Sequence, residues 1–288
     1  MMSRRSFGRM AAWSGLSAAA LPLTMTGADV EKEGSSARLR VLCYNIHFGQ
    51  GNDGAYDIPR IAEVIRRTKP DLVALQEIDV HVQRSGRLHE LRLLAEETGM
   101  TGHFGPTQHY QGGLYGNGIL SRLPVYDVHL QPLPYTEATP ELLTFPRAAV
   151  AAVVGLPDGR QVRFISTHFQ HAKFEDDRLA EAVAINGHFA AEDSSTDAMG
   201  PEAAALPTIL AGDFNAVLGS LPVEELQKKW VFLVEDEPVP TSPSKAPAKR
   251  IDFILHRKSD PVRVIEHRVI SERMASDHFP VFAVLEVG

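Results

Sequence analysis

Short apolar runs recur along the chain, and each carries, at or near one end, a polar residue able to hold a metal or a phosphate. They read VLCYN (41–45), LVALQE (72–77), FISTH (164–168), TILAGDFN (208–215), RIDFIL (250–255) and SDHFPVFAV (276–284). Runs of this length, rich in β-branched and aromatic residues, predict strands. One polar strand end is unremarkable. A series spread from Asn45 to His278 points to a single site assembled from strand ends.

Helical periodicity separates these runs. Asp57 can cap a helix with Pro59 in its first turn, and Ile58, Ile61, Ala62 and Ile65 fall on one face before Pro70 ends it. A second helix is expected over 88–98, stopped by Gly99. Strands follow over 102–107, 115–121, 125–130, 148–155 and 162–168, then a helix over 175–189. Residues 192–207 read as a loose stretch, and 235–249 as a Pro-rich surface loop. Between them lie a strand over 208–211 and a short helix over 223–228; strands over 251–256, 262–266 and 279–286 close the chain. Helices recurring in both halves among mainly β segments predict two mixed sheets packed face to face with helices outside.

Residues 1–28 read as an address, to be set aside before fold reasoning. Ser3-Arg4-Arg5-Ser6-Phe7-Gly8-Arg9 resembles a twin-arginine export motif, a mildly apolar run follows over 10–25, and Thr26-Gly27-Ala28 suits a cut before Asp29. The expected mature protein, 29–288, is one domain, periplasmic or secreted, and monomeric. Removing 1–28 takes away Arg4, Arg5 and Arg9 and no acid, so the formal charge moves from −7 to −10. An enzyme gripping long nucleic acid needs basic surface to displace counterions. The charge therefore favours small phosphate esters or membrane lipid headgroups over nucleic acid. The single Cys43 excludes an internal disulfide and sits inside an apolar run, as a small core residue.

The polar strand ends lack a Ser or Cys nucleophile in an activating motif and are rich in hard oxygen donors, which suits metal-assisted hydrolysis of a phosphate ester. Asp213 follows a strand, where Gly212 lets the backbone turn; it can take a proton from water, and Asn215 can orient that water or a phosphate oxygen. Asp277 is a candidate metal ligand and His278 a candidate phosphate contact. Asp252 sits in an otherwise apolar strand and needs a partner. It pairs either with His278, fixing its tautomer, or with Arg250 or another arginine. Glu77 is the leading metal carboxylate, with Asn45 beside it. His168 can donate to a phosphate oxygen. His168 and His171 make an H-x-x-H spacing, but no third ligand supports zinc. Tyr115, Asn117 and Arg147 are candidate substrate contacts.

The ordered set YNIHFG, ALQEID, GGLYGNGILSR, STHF, AGDFN, RIDFIL and SDHFPV, from Leu39 to Val287, resembles the endonuclease/exonuclease/phosphatase superfamily. The GGLYGNGILSR and TSPSKAPAKRIDFIL segments look like the branch holding bacterial exported hydrolases and the hydrolase-like part of GPI-anchor lipid remodelling proteins. The resemblance implies an α/β four-layer sandwich and Mg2+- or Mn2+-dependent cleavage of phosphate esters. It implies metal binding by Glu77, Asn45 and Asp277, water activation by Asp213 and Asn215, and phosphoryl stabilisation by His168 and by His278 oriented by Asp252. The expected function is an exported metal-dependent phosphoesterase acting on a lipid headgroup or small ester. The rivals are an exported nuclease and a catalytically inactive binding module.

Overall fold

The computed structural model describes residues 37–139, 144–171 and 173–288; the expected leader lies outside them. The chain runs β1 (Ala37–Asn45), α1 (Ile58–Thr68), β2 (Leu72–Val80), α2 (Glu90–Thr98), β3 (Thr101–Tyr110), β4 (Gly113–Ser121), β5 (Val125–Leu133), β6 (Arg147–Gly155) and β7 (Gln161–His168). It continues through α3 (Glu175–Phe189), α4 (Pro201–Ala204), β8 (Thr208–Asp213), α5 (Leu221–Gln227), β9 (Trp230–Phe232), β10 (Asp252–Arg257), β11 (Val262–Val269) and β12 (Val281–Val287).

Strand β1 shows why the layers form. Its side chains alternate, and over Val41–Tyr44 both sets are apolar, so both faces must be covered there. Leu39, Val41 and Cys43 pack between the sheets, against Val150, Phe164 and Ile254. Leu42 and Tyr44 pack the other way, under α1 and α2. On the far side, Ile165, Leu210 and Phe253 pack against α3 and α5 through Ile185, Phe189 and Leu226. The result is helices, sheet, sheet, helices. The sheets are six-stranded and mixed, in the orders β11-β12-β1-β2-β4-β3 and β5-β6-β7-β8-β10-β9. Emptying a fully buried position such as Phe164 costs about 3–5 kcal/mol, because the layers collapse only partly into the cavity.

The helix signals act where the sequence places them. Asp57 accepts a hydrogen bond from the Arg60 amide at 2.9 Å. Gly99 ends α2 in the left-handed region at φ 64°. Elsewhere the boundaries differ. The stretch 192–207 contains α4, and the three-residue β9 pairs with β10 although its apolar run is too short to stand out. The last strand begins at Val281, so Ser276-Asp277-His278 lies in an irregular turn before it.

Strand directions decide where the polar ends meet. β1 and β2 are parallel, with Asn45 opposite Gln76. β7 and β8 are parallel, with His168 opposite Asp213. β10 runs antiparallel to β8, so its first residue, Asp252, lies opposite Asp213. Buried polar ties fix one sheet against the other. Gln76 Nε2 donates to Ser166 Oγ at 3.2 Å, and Asn117 Nδ2 donates to the Ala148 carbonyl at 3.0 Å.

Candidate active site

Glu77 leaves the regular pleat. The β2–β4 register slips between Leu75 and Ile78, and Glu77 sits at φ 61°. A non-glycine residue held there costs on the order of 1 kcal/mol or more, and such strain concentrates at functional sites. Asn45 ties this carboxylate to the other sheet. Its Nδ2 donates to Glu77 Oε1 at 3.2 Å and to Asp213 Oδ2 at 3.1 Å.

Next to the acids lies a group of donors. Arg147, at the start of β6, places Nη1 3.1 Å from His168 Nδ1. A guanidinium can only donate, so Nδ1 accepts and the imidazole proton sits on Nε2. Nε2 lies 3.6 Å from Asp213 Oδ2. Burial first, then the Arg147 charge, pushes His168 well below the usual histidine range, so the ring is neutral. Asn215 at φ 48° turns its amide to 3.1 Å from the same Nε2, while its backbone N–H donates to Asp213 Oδ1 at 2.8 Å. The Arg147 Nε is buried without a hydrogen-bond partner. The Asn215 amide nitrogen donates to the Phe169 carbonyl at 3.2 Å and Arg147 Nη1 to His168, which leaves Arg147 Nε as the buried donor still open to an anion.

His278 completes the opposite wall. Its Nδ1 donates to Asp252 Oδ2 at 2.9 Å, and its Nε2 lies 3.3 Å from Ser242 Oγ. Burial alone would push this imidazole down; the charges of Asp252 and then Asp213 outweigh it and hold the ring well above its usual range. Arg250, the other candidate partner of Asp252, instead lies 3.5 Å from Glu235 Oε2 and donates to the Val239 carbonyl at 3.1 Å. Asp213 is pushed up to about 7, by burial first and the Asp252 charge second, against the pull of His278.

Asp213, Asp252 and His278 bring ligand-type atoms within 4.8 Å of one another. His278 Nδ1 is already committed to Asp252, so this cluster reads as a base beside a dyad. The better cation set is oxygen-only: Glu77, Asn45 and Asp277. Glu77 makes no ion pair among the described residues, and Asp277 Oδ1 lies 3.8 Å from His47 Nδ1 and 3.5 Å from Ser276 Oγ. Asn45 Oδ1 also accepts from the His47 amide at 3.0 Å, but no Lys or Arg neutralises these oxygens among the described residues, and hard oxygen donors of that kind suit Mg2+ or Mn2+.

The remaining sequence candidates divide. Tyr115 is buried, and its phenol faces Arg147. Asn117 is buried in the inter-sheet tie through Ala148. Two lobes open over the site. A basin of about 530 Å³ is lined by Glu77, His168, Asp213, Asn215, Asp277 and His278. An adjoining lobe of about 590 Å³ is lined by Arg84, Tyr110, Tyr115, Phe145, Lys173 and Phe174. Glu77, Arg147 and His171 line both. Sequence reasoning missed Arg84. Its only signal was Asp79, an acid inside an apolar strand that needs a buried partner.

Comparison with known proteins decides the family. The family model described as Endonuclease/Exonuclease/phosphatase family matches residues 42–278. The chain belongs to that family. Its members are phosphoesterase and nuclease hydrolases, and this chain is a hydrolase of that kind. Solved structures agree on the fold. An endonuclease/exonuclease/phosphatase from Beutenbergia cavernae DSM 12333 is 24% identical with a TM-score of 0.70, over 88% of this chain and 72% of that one. The mannosyl-6-phosphatase of Bacteroides thetaiotaomicron VPI-5482 is 20% identical with a TM-score of 0.67, over 86% and 99%. The human Nocturnin catalytic domain with bound sulfate is 18% identical with a TM-score of 0.62, over 88% and 94%.

Proposed function

We propose that this protein is an exported phosphoesterase, dependent on Mg2+ or Mn2+, that cleaves a lipid headgroup or another small phosphate ester by direct attack of water. The observation that carries the reading is the unpartnered buried Nε of Arg147, beside the Nε2 proton of His168, set next to the raised carboxylate of Asp213. Asp213 takes the proton of the attacking water. A base poised near 7 is matched to that task. Asn215 orients the water. Neutral His168, through its Nε2 proton, and cationic His278 donate to the phosphoryl oxygens, and Arg147 adds charge. Glu77, Asn45 and Asp277 would hold the cation, which neutralises phosphate charge and lowers the pKa of bound water. Because water is the nucleophile, no covalent enzyme intermediate forms.

Export rests on the leader-like residues 1–28, and the small-ester preference on the formal charge of −10 after their removal. The test is a substrate panel on purified protein with and without EDTA: bis-p-nitrophenyl phosphate, sphingomyelin, phosphatidylinositol, plasmid, single-stranded DNA and RNA. Metal-dependent turnover of the small and lipid esters is expected. EDTA-resistant turnover defeats the mechanism. Plasmid nicking that falls steeply with salt makes the protein a nuclease instead. Intact folding with no Mg2+ or Mn2+ binding by calorimetry makes it a binding module. Fractionation of the native host, with sequencing of the mature N-terminus, tests export.

A further inference from the structure

The aromatic lobe is larger than the chemistry next door requires. At about 590 Å³ it falls in the range that encloses an organic ligand of ordinary size. It opens from the catalytic basin across Glu77 and Arg147, so a group attached to the phosphate under attack can extend into it. Its walls are of two kinds. Tyr110, Phe145 and Phe174 supply ring surface. Arg84 and Lys173 supply donors.

Arg84 is held rigidly. Its Nε and Nη2 donate to Asp79 at 2.8 and 2.9 Å, and its guanidinium lies 3.6 Å from the centre of the Phe48 ring. Asp79 is fully buried, so this anchor is fixed by the core. The remaining nitrogen, Nη1, makes no hydrogen bond among the described residues, and Lys173 pairs with no carboxylate among them. Arg147 Nε is likewise without a partner. Apart from Glu77, which belongs to the oxygen set, the charged groups of the lobe are donors in surplus. Such a wall selects an acceptor-rich, anionic group, and rings beside it select a cyclic carrier.

We propose that the lobe is a specificity site for the non-reacting part of the substrate, and that this part is a ring or cyclic polyol bearing a second phosphate, read by Lys173 and Arg84. The inference rests on the phosphoesterase reading for the position of the reacting phosphate. The second phosphate could reside on a soluble sugar ester or on a lipid headgroup; the chemistry recognised is the same.

The test is calorimetry on the Mg2+-loaded protein, with turnover of bis-p-nitrophenyl phosphate measured in parallel. One arm compares glucose 1,6-bisphosphate with glucose 6-phosphate. The other compares phosphatidylcholine vesicles containing phosphatidylinositol 4-phosphate with vesicles containing phosphatidylinositol. The doubly phosphorylated member should bind about fivefold tighter or better, which is ~1 kcal/mol, the scale of one partly exposed charge contact. The arm that shows it names the source. Lys173→Gln should shrink the preference while leaving turnover of the small diester unchanged; Arg84→Gln provides a second, independent loss. Equal affinities in both arms, or a preference that survives both substitutions, overturns the inference. Loss of the phosphoesterase reading itself would show differently, as no metal-dependent turnover of the diester while the binding comparison remains measurable.

Discussion

Asp252→Asn separates the catalytic from the structural meaning of the site. The amide keeps the shape of the carboxylate but removes the charge that His278 Nδ1 meets at 2.9 Å in a buried setting. A hydrogen bond to a charged group contributes about 1.5–3 kcal/mol. If the imidazolium donates to the phosphoryl group in the transition state, losing that support lowers kcat roughly 10- to 150-fold. Stability should change less than turnover. Asp252 lies opposite Asp213 across the β8–β10 ladder, and its charge helps raise Asp213. Removing it relieves repulsion between two buried acids while forfeiting the charge-assisted bond to His278, and the two effects on Tm oppose each other. The pH–rate curve should shift as a whole. The working form needs Asp213 ionised and His278 protonated, and loss of the Asp252 charge lowers the pKa of both, so both limbs move to lower pH. The assay is turnover from pH 5 to 9 at saturating Mg2+, with Tm on the same preparation. An unchanged curve and turnover, accompanied by a lower Tm, would falsify the dyad and leave Asp252 a structural partner only.

Three further outcomes are expected. Glu77→Ala should abolish turnover and Mg2+ binding by calorimetry, whereas Glu77→Gly should additionally raise Tm, because glycine tolerates φ 61° without the ~1 kcal/mol or more of strain; turnover close to normal in either variant refutes the metal assignment. Arg147→Met should lower kcat by about 10- to 150-fold, the worth of a charge-assisted hydrogen bond, and the His168 imidazole nitrogens should change tautomer by NMR; an unchanged nitrogen spectrum refutes the positioning. Glu181, buried beneath the Gln170 amide, is pushed up to about 8 chiefly by burial. Its folded pKa lies above its unfolded value, so its contribution is complete below about 4.5 and is lost as pH rises towards 8, at up to ~1.4 kcal/mol per pH unit; Glu181→Gln should flatten the urea-midpoint decline across that window, and a parallel decline refutes the reading.

The sequence by itself determined the layers and the chemical inventory. Short runs that are apolar on both faces, as in Val41–Tyr44 of β1, fit strands between two covers, and Asp57 and Gly99 mark helix ends through local backbone chemistry that needs no distant partner. Glu77, His168, Asp213 and Asp252 stood out because polar residues at the ends of such runs are costly unless used. What only the tertiary structure decided is pairing. The choice of His278 over Arg250 for Asp252 depends on an irregular turn that no periodicity encodes, since Ser276-Asp277-His278 precedes the strand. The placement of Asn117 under Ala148, and of Arg84 over Phe48 beside the basin, depends on contacts between residues far apart in the chain. So does the role of Arg147, which the sequence offers only as a candidate substrate contact. Its donor-only fork becomes informative only when β6 and β7 lie side by side and bring it to one nitrogen of His168.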